Sequence, residues 1–246
     1  MRGVSLSSAV RRLNFLLPLR VAGSFRPICA ALLTLTSAGC VHSIESGPAL
    51  PSPAEVADAV EAVDDRSAPA TLSFDWRYAD QRGDVEGEGV GRYNPPDSLR
   101  VDLFTSGDVA MAIAVAGGEL RSLGEIEDVE IPGLEFVYAM AGLFRPGSGH
   151  PEGYLSGADS VLVYGESTDR RLYYFVRSGR LRRLEERSRG RTVQRVNIEW
   201  GTGSAWPVEA EYRNLVGHSR VRWEVTEVTY QQESHPAYAY ELPPVP

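Results

Sequence analysis

Of the side chains here that can carry chemistry, the thiol of Cys40 has the most telling surroundings. It directly follows Ser37-Ala38-Gly39 and closes an apolar run from Ile28 to Thr36. Arg2, Arg11, Arg12, Arg20 and Arg26 precede that run, and no acidic residue occurs before Cys40. The run is too short to span a bilayer, which takes roughly 20 apolar residues. A positive front, an apolar middle and small residues before a cut mark a secretory leader. The cut would fall directly before Cys40; the plainer alternative is an ordinary leader with a chance cysteine beside its cut. Other constellations are weaker. His42, His150, His218 and His235 are scattered, without the paired spacing or cysteine partners of a metal site. No nucleophile elbow or phosphate-binding loop occurs. Glu125, Glu127, Asp128 and Glu130 form an acidic run that fits no calcium loop and reads as a solvated turn. The chain is therefore expected to be no enzyme and to carry no metal or cofactor.

The segment Ser37-Ala38-Gly39-Cys40 resembles the lipobox of bacterial lipoproteins, with Ser37 where that pattern usually has leucine. The resemblance implies that residues 1–39 are a signal peptide and that Cys40 is the lipid-attachment residue. Each buried CH2 contributes about 0.8 kcal/mol and a single chain binds only marginally, so a multiply acylated cysteine makes a firm anchor to membrane lipid. Val41 in place of aspartate after the cysteine implies sorting to the outer membrane, on its periplasmic face. The mature chain from Cys40 onward has 207 residues, enough for one domain with a sizeable core. Removing the five leader arginines leaves 20 of 25 cations against 33 carboxylates, a net charge of −13. That balance excludes nucleic acid as a partner, since affinity for phosphates rests on clustered cations. Cys40 is also the only mature cysteine, so no disulfide supports the fold.

Patterning sets the elements. Residues 40–52 hold the anchor and a Ser-, Pro- and Gly-rich stretch that reads as a flexible tether. Ser52-Pro53-Ala54-Glu55 reads as a capping box opening a helix, with Val56, Ala57, Val60 and Val63 on one face and an end near Asp65. From Ala70 the period becomes two, with Leu72, Phe74, Trp76 and Tyr78 on one strand face. Gly87, Gly89 and Gly91 share a face of the next strand, where the sheet is expected to curl. Further strands follow through Gly117-Gly118, a hairpin turn. The alternation stops at "IPGLEFVYAMAGLFRPG", a helix bounded by Pro132-Gly133 and Pro146-Gly147 and apolar on nearly all sides. "GSGHPEGYLSG" reads as a loop, and strands then resume. "RSGRLRRLEERSRGR" reads as an exposed, ion-paired hairpin. The count is five strands, a helix and six strands, after an initial helix. Residues 233–246 form a Pro-rich tail, read as extended over the surface.

This plan, together with "VEGEGVGRYNPPDSLRVDLF", resembles the LolA/LolB family of lipoprotein-localisation factors over most of residues 53–232. The resemblance implies an α+β fold, mainly antiparallel β: a strongly curved eleven-stranded half-barrel with helices covering its concave face. It further implies an apolar cavity that takes the acyl chains of a lipid or lipoprotein cargo, and exchange with a soluble periplasmic carrier. With an acylated cysteine, the chain looks more like the family's membrane-anchored receptor. It departs from that receptor at "FTSGDV", short and polar where the receptor has a protruding leucine-tipped loop.

Given those registers, Leu72, Phe74, Trp76, Leu99, Val101, Leu103, Met111, Ile113 and Val115 line the concave wall. Leu134, Val137, Tyr138, Met140 and Leu143 cover it. Two readings stay open. These residues enclose a cavity for acyl chains, or they fill a solid core in a structural or interaction lipoprotein.

Overall fold

A computed structural model describes residues 47–64, 66–106, 108–124, 131–165 and 169–242. The leader, Cys40, His42, the first part of the tether, the acidic run from Glu125 to Glu130 and the end of the tail lie outside the described residues. The described elements begin with helix α1 (Pro53–Val63) and strands β1 (Ala70–Ala79), β2 (Asp84–Asn94), β3 (Ser98–Thr105), β4 (Asp108–Ala116) and β5 (Glu119–Gly124). Helix α2 (Leu134–Met140) follows. Then come β6 (Glu152–Ser156), β7 (Asp159–Tyr164), β8 (Arg171–Arg177), β9 (Arg180–Ser188), β10 (Arg191–Trp200), β11 (Pro207–Asn214) and β12 (Ser219–Tyr230).

All twelve strands join one curved, unclosed sheet in the order β5-β4-β3-β2-β1-β12-β11-β10-β9-β8-β7-β6. Two meanders are stitched together by their first and last strands, with Trp76 of β1 opposite Trp223 of β12. Strands β5 and β6 are therefore the two edges. The chain between them must travel from one edge to the other, and it carries α2 across the concave face. Burial on every side is why α2 is apolar on every side: Phe136, Val137, Tyr138, Ala139 and Met140 are all buried. This is the α+β half-barrel that the resemblance implied.

Among the described residues there are twelve strands rather than eleven, because β6 falls in the stretch read as a loop. Its glycine and proline neighbours hide the pattern, but β7 supplies a ladder through a turn at Gly157, φ +60°. The other edge of β6 is met by the end of the predicted tether: Leu50 N donates to Gly153 O at 2.9 Å, and Leu155 N to Pro48 O at 2.8 Å. Helix α1 starts with Pro53 in its first turn, but Ser52 makes no side-chain cap bond. Its Ala57 and Val60 are buried, whereas Val63, expected on the same face, is exposed at the helix end.

Helix α2 stops at Met140, short of the expected Pro146. Gly142, at φ +70°, terminates it in a Schellman turn, in which Leu143 N donates to Tyr138 O at 2.9 Å and Gly142 N to Ala139 O at 2.8 Å. The tail is not simply extended. Residues Ala237–Tyr240 form a 3-10 turn against β3 and β4, held where Arg100 donates to the carbonyls of Ala239 and Glu241. The predicted exposed hairpin is partly a second small core on the convex face. Glu185 is buried between Arg183 and Arg187, whose guanidinium groups lie over Phe175 and Tyr173. Strands β7 and β8 are buried on both faces there, a feature their continuous apolar runs carried.

The three glycines of β2 stand opposite three of the large inward-facing side chains of β1. Gly87 pairs with Trp76, Gly89 with Phe74 and Gly91 with Leu72. A β-carbon at Gly89 would lie 2.3 Å from the Phe74 ring, so the aromatic side chains fold across the bare backbone and β2 can curl over them. Gly89→Ala is expected to cost about 1–3 kcal/mol through overpacking. A urea midpoint equal to the wild type's would refute the close approach.

Candidate functional site

The concave wall assembles from three neighbouring stretches of sheet. Alternation on β1, β3 and β4 turns all nine predicted wall residues inward, and every one is buried in a single apolar cluster. Of the predicted cover, Val137, Tyr138, Met140 and Leu143 are buried in the same cluster, and Leu134 packs against it half-buried.

Between α2 and this wall run two narrow apolar fissures. The first, about 30 Å³, brings together Trp76, Leu103, Met111, Ile113, Val137 and Met140 from the predicted set, with Tyr78, Ile131, Pro132, Val221 and Trp223. The second, about 20 Å³, joins Leu72, Phe74, Leu99, Val101 and Met140 to Gly91, Ala141, Pro207, Trp223 and Val225. Val115, Leu134, Tyr138 and Leu143 line neither. The residues that sequence reasoning missed lie chiefly on β12. Val221, Trp223 and Val225 alternate as clearly as those of β1, but only the β1–β12 pairing carries them onto the wall.

Helix α2 is seated unevenly. It packs against β9, β10 and β11, with Phe136 edge-on to Tyr212 at 5.7 Å between centroids. The first fissure is lined instead from β1, β3, β4 and β12, with Ile131 and Pro132 before the helix; the second draws on β1, β3 and β12 together with Gly91 of β2 and Pro207 at the start of β11. The space therefore lies mainly on the β1–β4 and β12 side of the helix, and the tight packing on the β9–β11 side.

A polar clamp fastens the chain just after α2. Arg66 donates from Nη1 to Ala141 O and from Nη2 to Gly142 O, both at 3.1 Å, and from Nε to Ala205 O at 3.0 Å. Its guanidinium lies 4.1 Å over the Trp206 ring and 3.3 Å from Asp64. Asp64 Oδ2 accepts from Phe144 N and from Arg145 Nη1, both at 2.8 Å. Arg145 Nη2 reaches Pro96 O at 2.8 Å, and Tyr138 Oη donates to Asp97 O at 2.6 Å. The C-terminal end of the cover is thus tied to the segment after α1 and to the β2–β3 turn by neutral carbonyls and one buried carboxylate. Burial pushes the Asp64 carboxyl above its usual range despite Arg66 and Arg145, lowers Arg66, and pushes the Tyr138 phenol up to about 12.

Chemically, the fissures offer apolar contact rather than reactive groups. Among the described residues no cluster of three or more His, Cys, Asp and Glu side chains is placed to hold a metal ion, and His150 and His218 are exposed. Among them, too, no helix is long and apolar enough to cross a membrane.

The arrangement defines a class: a curled antiparallel half-barrel whose concave apolar face is crossed by one buried helix. Solved structures share it. A LolA superfamily protein from Nitrosomonas europaea matches 78% of this chain and 99% of its own, at 13% identity and a TM-score of 0.51. A DUF1329 family protein from Desulfovibrio piger matches 77% of this chain and 100% of its own, at 10% identity and a TM-score of 0.50. No protein-family model and no curated protein matches the sequence. The chain has the fold of the LolA superfamily.

Proposed function

We propose that this chain is an envelope lipoprotein, held by an acylated Cys40 to the periplasmic face of the outer membrane, that takes acyl chains of a lipid or lipoprotein cargo between its concave sheet and α2. The supporting observation is the fissure between them, lined by apolar and aromatic side chains along its length. Burying an acyl chain there needs no compensation of charge. The fold shared with a LolA superfamily protein adds to this reading, as does the spacing of the leader and Cys40. Exchange with a soluble periplasmic carrier belongs to the same proposal.

The volumes set a condition. Ligand pockets typically measure about 300–1,000 Å³, and these fissures measure about 30 and 20 Å³. Loading therefore requires α2 to lift from β1–β4 and β12 while it stays seated on β9–β11. The same small volumes favour a second reading, an interaction lipoprotein whose core is filled and whose outer face docks a partner.

The test uses residues 41–246, because His42–Pro246 forms one compact unit. Co-purified acyl lipid in a solvent extract, or saturable uptake of a fluorescent fatty acid, supports carriage. Leu103→Arg and Val137→Arg are then each expected to lower uptake at least about tenfold, since either places an unpaired charge in the apolar site. No lipid and no uptake would select the second reading. Mass analysis of native membranes finding Cys40 unmodified would remove the tether.

A further inference from the structure

We propose that Trp223 is the polar anchor of this site and that the bound group is an acyl ester or amide, recognised through its carbonyl oxygen. The inference rests on the acyl-binding reading and narrows it to a ligand class. Trp223 is 7% exposed and stacks on Phe74 at 4.9 Å between centroids. Its Nε1–H is buried and has no acceptor among the described residues. Buried indole N–H groups normally find one. Trp76 donates to Glu88 O at 2.9 Å and Trp200 to Leu181 O at 2.7 Å. Trp206 also lacks an acceptor, but it lies beneath Arg66 and lines neither fissure.

Position makes the orphaned donor useful. Trp223 and Met140 are the two residues common to both fissures. Met140 belongs to the helix and Trp223 to the sheet. When α2 lifts, Met140 leaves with it, and the two fissures join across a tryptophan whose place in the β1–β12 ladder does not change. The other polar side chains of the lining are satisfied within the protein: Trp76 as above, and Tyr78 by Asp80 at 3.1 Å. Among the described residues no cation lines either fissure. A phosphate or carboxylate entering there would remain an unpaired buried charge, whereas a neutral carbonyl supplies the missing acceptor without one. The headgroup stays at the rim and the carbonyl marks the depth to which the chain enters.

The test compares 1-palmitoylglycerol with 1-hexadecylglycerol, which has a methylene in place of the carbonyl, on residues 41–246. The ester is expected to bind about tenfold more tightly than the ether. Trp223→Phe, which keeps the stack on Phe74, should bring the ester down to the ether's affinity and leave the ether unchanged. In wild-type nitrogen–proton spectra, the indole cross-peak missing from Trp223→Phe should move downfield with the ester and stay put with the ether. An N-palmitoyl ethanolamide arm, read the same way, separates amide from ester sources. Equal binding of ester and ether by the wild type, or an unmoved cross-peak with bound ester, overturns the inference and leaves acyl binding standing. If neither lipid binds, acyl binding itself fails and the inference falls with it.

Discussion

Asp64→Ala is expected to destabilise the protein by about 3–5 kcal/mol, the range for removing one partner of a buried ion pair. Arg66 and Arg145 would both lose their carboxylate, and Phe144 N would lose its acceptor. Arg66 has little recourse to water, since its side chain is 8% exposed. Asp64→Asn keeps an acceptor for Phe144 N and should cost less. Burial holds the Asp64 proton more tightly in the folded than in the unfolded chain. The contribution of that proton is therefore present in full below the ordinary value of 3.8 and fades as pH rises through the higher folded value. The advantage of wild type over Asp64→Asn should accordingly be largest in acid and shrink toward neutrality. Urea midpoints across pH read all three quantities. An Asp64→Ala cost under about 1 kcal/mol would mean that the clamp does not hold the cover.

Phe136→Ala is expected to cost a similar amount, about 3–5 kcal/mol, for a different reason. Phe136 is fully buried and meets Tyr212 edge-on, on the side of α2 that packs against β9–β11. Truncation removes the transfer energy of the ring and leaves a void between helix and sheet. The position also tests how the cover moves. If α2 hinges on its β9–β11 side, Phe136→Ala should loosen the hinge, and amide exchange should quicken along α2 while the β1–β2 ladder keeps its protection. A loss of protection confined to β1–β4 would place the hinge on the other side and refute this seating of the helix.

How much of this could be read in advance differs from element to element. Period-two alternation placed Leu72, Phe74 and Trp76 on one face, because neighbours on a strand must point opposite ways. The all-round apolar run at Phe136–Met140 announced a helix buried on every side. Gly87, Gly89 and Gly91 marked the curl, since only bare backbone lets the β1 aromatics fold across it. Such features depend on a few consecutive residues, and the chain itself dictates them. Others depend on what meets across the sheet. Strand β6 needed β7 and the Pro48–Leu50 segment for its hydrogen bonds, and α2 ended where Gly142 comes up against Trp200 and Pro207. Arg66 and Asp64 find their partners only because the chain around Ala141–Arg145 folds over them. Trp223 acquired its place only because β12 closes onto β1 from the far end of the domain. Periodicity is a short-range property, whereas the partner of an indole N–H or a guanidinium is chosen by long-range pairing, so the wall was legible in the amino-acid order and its polar fittings emerged only in three dimensions.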